Sequence, residues 1–183
     1  MKYPYFSWKN TLSNREIKEI NSICNKNIDS GFKDVAATGV TKTAKVQHIA
    51  WKWLKPKLNL IYEKWMAINR ESFGYNLYPL HNIDPWNLNV YKSENSGEYG
   101  YHLDEDVRRF SDIKLTGIIN ISEEPYRGGE FMAFYNSDFR VVHEIFEPGS
   151  ALLMKHGTLH KVCPVTDGVR KTLSFWFYGP PFT

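Results

Sequence analysis

The sequence predicts a single α+β domain over residues 1–183, with N-terminal helices supporting a β-rich remainder. Three observations carry this prediction. The spacing of hydrophobic residues changes from helical to alternating near residue 75, no linker or repeat separates the two parts, and 183 residues with 42% hydrophobic positions suit one core. We therefore expect helical support over residues 1–74 and a sheet sandwich or barrel over residues 75–183.

Two helical patterns fill the N-terminal part. The first begins at a capping box, in which Ser13 and Glu16 satisfy each other's backbone N–H groups, and it should end near Asn27. The second runs over residues 46–68, with a kink or break expected at Pro56 because proline cannot donate a helical hydrogen bond.

The remaining segments predict a loop and a series of strands. Residues 31–45 are rich in Gly, Ala, Thr and Lys with weak periodicity, which is typical of a mobile loop. From Trp86 onward the hydrophobic pattern alternates, as in a half-buried strand. Predicted strands cover 75–80, 86–92, 99–104, 114–122, 129–135, 139–146, 150–154, 159–163 and 169–178.

Composition argues against several functional classes. A formal charge of +3 is too small for a dedicated nucleic-acid surface. No stretch approaches the roughly 18 apolar residues of a bilayer span, and the N-terminus lacks a secretory pattern, so we expect a cytoplasmic protein that binds no membrane. Cys24 and Cys163 predict neither a disulfide scaffold nor a cysteine zinc site. A monomer is the default expectation.

Half of a metal site is visible in the predicted strand that ends at Asp104. Side chains two residues apart share one face of a strand, so His102 and Asp104 can direct an imidazole and a carboxylate to one point. His-x-Asp also occurs by chance. The assignment therefore depends on a third ligand elsewhere in the chain.

His160 supplies that ligand, because it begins a predicted strand after the turn at residues 155–158. Two histidines and one carboxylate on one face of an octahedron leave three positions open on Fe(II), as non-haem oxygenases require. His156 is the competing ligand, but it lies in the turn, where the backbone is held less firmly. The other histidines lack partner spacing and are expected at the surface or in packing, namely His48, His81 and His143.

The last predicted strand carries four inward-facing residues on one side: Arg170, Thr172, Ser174 and Trp176. A guanidinium inside a barrel must meet an anion, because an unpaired buried charge is costly. A dicarboxylate cosubstrate would supply one, with Arg170 binding its distal carboxylate and Ser174 or Thr172 donating a hydroxyl. A protein carboxylate is the alternative partner.

The strand over residues 86–91 has an apolar face and a hydrogen-bonding face. If the apolar face packs on the helices, Asn87, Asn89 and Tyr91 line the barrel. The Tyr91 hydroxyl can then reach the cosubstrate carboxylate.

Several motifs occur together, in consistent order, between residues 86 and 182. They are His102-Leu103-Asp104, Gly128-Gly129-Glu130-Phe131, Pro148-Gly149-Ser150, and His160 followed by Arg170. As a set they resemble the Fe(II)- and 2-oxoglutarate-dependent dioxygenases, in particular the prolyl 4-hydroxylase-like branch. The resemblance implies a double-stranded β-helix, or jelly roll, with the N-terminal helices packed on the major sheet.

The resemblance also implies roles for the metal and cosubstrate residues. His102, Asp104 and His160 would ligate iron. Arg170 would bind the C5 carboxylate of 2-oxoglutarate, helped by Tyr91.

Further positions match the branch less completely. Tyr99 matches a pocket tyrosine, and Trp176 occupies the aromatic position that closes the pocket wall. Residues 31–45 match a mobile loop that would cover the substrate. One departure is Asn120, on a strand where some relatives carry a tyrosine that contacts the cosubstrate.

The implied activity is hydroxylation of a protein or peptide residue, most simply proline, with release of succinate and CO2. Fe(II), 2-oxoglutarate and O2 would be required, with ascorbate as an accessory reductant. Three alternatives stay open: a hydroxylase of a free amino acid or other small molecule, a non-enzymatic jelly-roll binding module, and a zinc hydrolase with the same ligands. The last two leave Arg170 without a role.

Overall fold

The computed structural model describes residues 4–29, 40–104 and 112–182. Its helices are α1 (Asn14–Lys26) and α2 (Trp51–Ile68), and a π-helical turn (Asn69–Phe73) follows α2. The strands are β1 (Tyr5–Trp8), β2 (Ile28–Asp29), β3 (Lys45–Ala50), β4 (Pro85–Lys92), β5 (Tyr99–His102), β6 (Asp112–Asn120), β7 (Arg127–Gly128), β8 (Phe131–Tyr135), β9 (Asp138–Val141), β10 (Ala151–Lys155), β11 (His160–Val162), β12 (Val165–Asp167) and β13 (Val169–Gly179). Short 3-10 helices cover Ser93–Asn95 and His143–Ile145.

The strands of the described residues form two main antiparallel sheets. The major sheet has seven strands in the order β1-β10-β6-β13-β4-β3-β2, and the minor sheet has four in the order β5-β11-β8-β9. β7 and β12 pair separately. Buried residues such as Ile118 and Leu152 of the major sheet form one apolar cluster with Phe131 and Val162 of the minor sheet. The predicted fold class is confirmed: the chain is a jelly roll of the double-stranded β-helix type.

Both helices pack on the outer face of the major sheet. The indole rings of Trp51 and Trp65 in α2 stack on Trp86 of β4, with ring centroids 5.1 and 6.1 Å apart. Gly117 of β6 makes this packing possible, because a Cβ atom there would overlap the ring of Trp65. The aromatic layer therefore holds the major sheet in a defined position against the helices.

Alternation along β4 and β13 separates this core from the interior of the jelly roll. Trp86 and Leu88 of β4 and Leu173 of β13 belong to the helix-facing core. Asn89 and Arg170, on the opposite faces of the same strands, line an interior cavity. The alternation of these two strands agrees with the sequence prediction.

The prediction for α1 is confirmed at both ends. The Ser13 side chain accepts a hydrogen bond from the backbone N–H of Glu16 at 3.3 Å, and the Glu16 carboxylate accepts one from the backbone N–H of Ser13 at 2.8 Å. Asn27 is the C-terminal cap.

The start of the second helix was predicted wrongly. Residues 46–50 form strand β3, which pairs with β4 from Lys45 opposite Val90 to Ala50 opposite Pro85. Helical spacing over so few residues does not distinguish a helix from a strand, and the neighbouring strand supplies the backbone hydrogen bonds. The expected break at Pro56 is also absent, since α2 runs unbroken through it.

The predicted strand at residues 75–80 is wrong as well, although the segment runs beside β13. The backbone N–H of Tyr78 donates to the carbonyl of Tyr178 at 2.8 Å, without a continuing ladder. The predicted strand over residues 139–146 ends at Val141 and is followed by a 3-10 helix. β1, β2, β7 and β12 were missed, because each has four or fewer residues and is defined by a distant partner.

Two expectations from composition can be compared with the structure. Cys24 and Cys163 are free thiols, and burial raises the pKa of Cys24 to about 12. Within residues 4–29, 40–104 and 112–182, no helix has both the length and the apolar character of a membrane-spanning segment.

Candidate metal centre and cosubstrate cavity

Three potential metal ligands converge at one end of the cavity. His160 at the start of β11 lies directly opposite His102 at the end of β5, and Asp104 follows two residues later. The Nε2 atoms of His102 and His160 lie 3.6 and 3.7 Å from the two carboxylate oxygens of Asp104. One ligand atom from each residue lies within 4.8 Å of the other two.

A backbone carbonyl orients each of the two imidazoles through its Nδ1 atom. Nδ1 of His102 lies 2.8 Å from the carbonyl oxygen of Gly100, and Nδ1 of His160 lies 2.8 Å from that of Thr158. Because a carbonyl oxygen only accepts, each Nδ1 carries a proton, and each Nε2 is the nitrogen directed to the common centre. Burial and the neighbouring His160 lower the pKa of His102 to about 4, despite the opposing effect of Asp104. The imidazole is therefore neutral at physiological pH, the form that binds metals.

Thr116 of β6 supports the carboxylate of Asp104. Its hydroxyl donates a hydrogen bond to Asp104 Oδ2 at 2.7 Å, and its side chain is buried. Sequence reasoning missed this residue. The sequence did contain a signal for it. Thr116 lies two residues from Ile118 on a buried strand, so its side chain points to the same inner face, where a hydroxyl needs a hydrogen-bond partner.

His156, the alternative ligand, lies outside this cluster. It is located in the turn before β11, and its ring packs against Phe182 with centroids 4.8 Å apart. The structure therefore brings His160, rather than His156, to the other two side chains.

Tyr99 and Lys42 cover one of the imidazoles. The Tyr99 ring stacks on His102 with centroids 3.5 Å apart, and Lys42 Nζ lies 4.6 Å from the Tyr99 centroid. Lys42 was missed because it falls in the segment predicted to be a loop. Residues 31–39 of that segment lie outside the described residues, whereas Lys42 pairs with Tyr99 through an isolated β-bridge.

Arg170 lies in the same cavity as the metal cluster. Its side chain is 1% exposed, and its Nε and Nη2 atoms have no hydrogen-bond partner among the described residues. The guanidinium carbon lies 5.4 Å from the centroid of the Tyr91 ring. Ser174 and Trp176 also line the cavity, on the same side of β13. A positively charged donor without an acceptor favours an anionic ligand at this position.

Asn120 does not replace the missing tyrosine. Its amide donates to the Tyr126 hydroxyl and to the carbonyls of Ile145 and Phe146 at 2.8 to 3.0 Å. These bonds satisfy the amide within the protein, and Asn120 does not line the cavity.

Comparison with known proteins identifies the class. A family model described as the 2OG-Fe(II) oxygenase superfamily matches residues 86–178. The chain belongs to this superfamily, which confirms the resemblance inferred from the sequence. The family implies Fe(II), 2-oxoglutarate and O2 as cofactors.

Curated relatives are PKHD-type hydroxylases. One from Aliarcobacter butzleri is 35% identical over 106 residues, covering 54% of this chain and 44% of the relative. One from Herminiimonas arsenicoxydans is 35% identical over 91 residues, covering 45% of this chain and 39% of the relative. The chain thus spans less than half the length of these relatives.

Solved structures with the same fold include prolyl hydroxylases. A Pseudomonas putida prolyl-4-hydroxylase has a TM-score of 0.68 at 18% identity, covering 96% of this chain and 92% of that one. The viral collagen prolyl hydroxylase from Paramecium Bursaria Chlorella virus-1, solved with 2OG, has a TM-score of 0.69 at 16% identity, covering 97% of both chains. At these identities the likeness establishes the fold.

The donor set fits the cofactors that the family implies. Two imidazoles that direct Nε2 to one point and a carboxylate supported by a hydrogen bond suit a divalent iron. The unpartnered guanidinium suits the distal carboxylate of 2-oxoglutarate.

Replacing Asp104 with alanine should abolish tight Fe(II) binding, because it removes the only carboxylate that the described residues contribute to the cluster. Anaerobic titration of Fe(II) by calorimetry measures the effect, and circular dichroism checks the fold. His156→Ala is the matched control and should bind Fe(II) normally. Loss of binding in His156→Ala with retention in Asp104→Ala would contradict the ligand assignment.

Thr116→Val should weaken Fe(II) binding by about 10- to 100-fold, because Asp104 loses the hydrogen bond that orients it. Valine has nearly the shape of threonine, so the packing of β6 is preserved. The same titration measures the change. Unaltered affinity would show that the carboxylate is held without Thr116.

Proposed function

We propose that this chain is an Fe(II)- and 2-oxoglutarate-dependent hydroxylase that acts on proline in a protein or peptide. The observation that carries the proposal is a buried, unpartnered guanidinium in the same cavity as a cluster of two imidazoles and a carboxylate. Neither feature alone specifies this chemistry. Together they match a chelated metal at one end of a keto-diacid and a counter-charge at the other.

His102, Asp104 and His160 would hold Fe(II), leaving three coordination positions for ligands that the protein does not supply. Iron held there would supply, with 2-oxoglutarate and O2, oxidative decarboxylation to succinate and CO2 coupled to hydroxylation of a C–H bond. The chain's own residues orient Nε2 of both imidazoles through the carbonyls of Gly100 and Thr158, and they orient the carboxylate through Thr116.

The opposite end of the cavity would bind the cosubstrate. Arg170 would pair with the C5 carboxylate through its two unpartnered nitrogens, and Tyr91 would support the guanidinium through its ring. Ser174 would add a hydroxyl donor. Trp176 would form a wall of the cavity, and Tyr99 would shield the imidazole of His102.

A structural neighbour and a second cavity of this chain both support the proline assignment. Neighbours of the same fold include a Trichoplax adhaerens prolyl hydroxylase in complex with a peptide of hypoxia inducible factor, with a TM-score of 0.68 at 15% identity, covering 96% of this chain and 83% of that one. Within this chain, a second cavity of about 340 Å³ shares Trp176 with the first, and Tyr78, Pro79 and Tyr178 contribute to its walls. Aromatic surfaces of this kind suit a proline in an extended peptide.

Peptides containing proline should gain the mass of one oxygen atom when incubated with the protein, Fe(II), 2-oxoglutarate and ascorbate. A peptide library that also contains free proline and other free amino acids, followed by tandem mass spectrometry, locates the modified residue. Asp104→Ala serves as the inactive control. Modification of free amino acids alone would favour the small-molecule alternative over a peptide substrate.

Arg170→Ala should weaken 2-oxoglutarate binding by at least about 10- to 100-fold, because hydrogen bonds to a charged group are lost in a buried site. Fe(II) affinity should be unaffected. Arg140→Ala, at an exposed position on β9, is the control. If the Arg170 variant and the unaltered protein bind 2-oxoglutarate with equal affinity, Arg170 does not bind the cosubstrate. That result would favour the two alternatives that leave Arg170 without a role, a binding module and a zinc hydrolase.

A further inference from the structure

Asn89 lies at the centre of a group of polar side chains on the floor of the cavity. Strand pairing sets Asn89 of β4 opposite Thr172 of β13, with Ser174 diagonally beside it. All three side chains are buried, and Asn89 is 6% exposed. Its Nδ2 atom lies 2.9 Å from Ser174 Oγ and 3.5 Å from Thr172 Oγ1.

A third contact identifies which end of the amide faces the hydroxyls. The same nitrogen lies 3.4 Å from the backbone carbonyl oxygen of Asn87. A carbonyl oxygen can only accept a hydrogen bond, so the group that faces it must be the amino group. Asn89 therefore donates to Ser174.

This donation determines what the hydroxyls can offer a ligand. A serine hydroxyl has a single hydrogen, and when its oxygen accepts from Asn89 that hydrogen points elsewhere. No described residue accepts a hydrogen bond from Ser174 or Thr172, and both side chains line the cavity that contains the unpartnered Arg170 nitrogens. Both hydroxyls thereby keep a hydrogen available for an anionic acceptor in the cavity.

We propose that Asn89 is a positioning residue that directs the Ser174 and Thr172 hydroxyls toward the distal carboxylate of bound 2-oxoglutarate. This inference rests on the proposed function, and it adds a residue that does not itself bind the cosubstrate. An aspartate at this position would accept hydrogen bonds from both hydroxyls and turn their hydrogens away from the ligand.

Asn89→Asp tests the inference, with Asn87→Asp as its matched control. Asn87 lies opposite Ser174 on the same buried face and lines the same cavity, but among the described residues its side chain makes no hydrogen bond to either hydroxyl. Its variant therefore adds the same charge without removing such a bond. Calorimetric titration of 2-oxoglutarate into the Mn(II)-loaded protein gives the affinity without turnover. Asn89→Asp should lose about tenfold more affinity than Asn87→Asp, the loss expected for hydrogen bonds to a charged group. Equal losses would overturn the inference.

A double-mutant cycle with Ser174→Ala tests whether Asn89 acts through the hydroxyl. In the Ser174→Ala protein, the additional loss caused by Asn89→Asp should be smaller by at least about threefold than in the unaltered protein. If the fold losses of affinity caused by Asn89→Asp and by Ser174→Ala simply multiply in the double variant, Asn89 does not act through Ser174. If Asn89→Asp does not fold, Asn89→Leu, which is similar in size and uncharged, takes its place, and the same coupling is expected.

The 2-oxoglutarate affinity of the unaltered Mn(II)-loaded protein separates the two proposals. If the unaltered Mn(II)-loaded protein does not bind 2-oxoglutarate, the proposed function fails and the inference about Asn89 fails with it. If it binds and the two effects multiply, only the role of Asn89 is refuted, and Arg170 keeps its assignment.

Discussion

The antiparallel pairing of β5 with β11 is the constraint on which the site depends. It sets His160 directly opposite His102, and each histidine is anchored to the carbonyl oxygen of the residue two positions before it. The two imidazoles are therefore oriented by backbone geometry, which side-chain motion cannot easily disturb. A third strand, β6, supports Asp104 through Thr116, so the metal cluster is held by both sheets.

The major sheet serves two purposes because its strands alternate. On its outer face, three tryptophans and the clearance at Gly117 join the sheet to α2 in a dense aromatic layer. On its inner face, β4 and β13 present the amide of Asn89 and the guanidinium of Arg170 to the cavity. Close packing on one side gives the polar groups on the other a defined position, as a site for a small dianion requires.

The charges of the cavity are complementary to the cosubstrate of the family. The metal ligands at one end include a single carboxylate, and the other end has an unpartnered guanidinium. A folded protein leaves such a cation buried only when a ligand completes the site.

The sequence by itself determined the fold class, the capping of α1, the alternation of β4 and β13, and several of the residues that line the cavity. These features depend on local periodicity and on spacing along one strand, and both can be read directly from the amino-acid sequence. Thr116 and Lys42 escaped detection because their roles come from partners on other strands. The same reason explains why residues 46–50 form a strand despite helical spacing, since pairing with β4 supplies their hydrogen bonds. The sequence favoured His160 over His156, but only the tertiary structure shows which ring reaches His102, because strand register brings His160 there and leaves His156 in a turn.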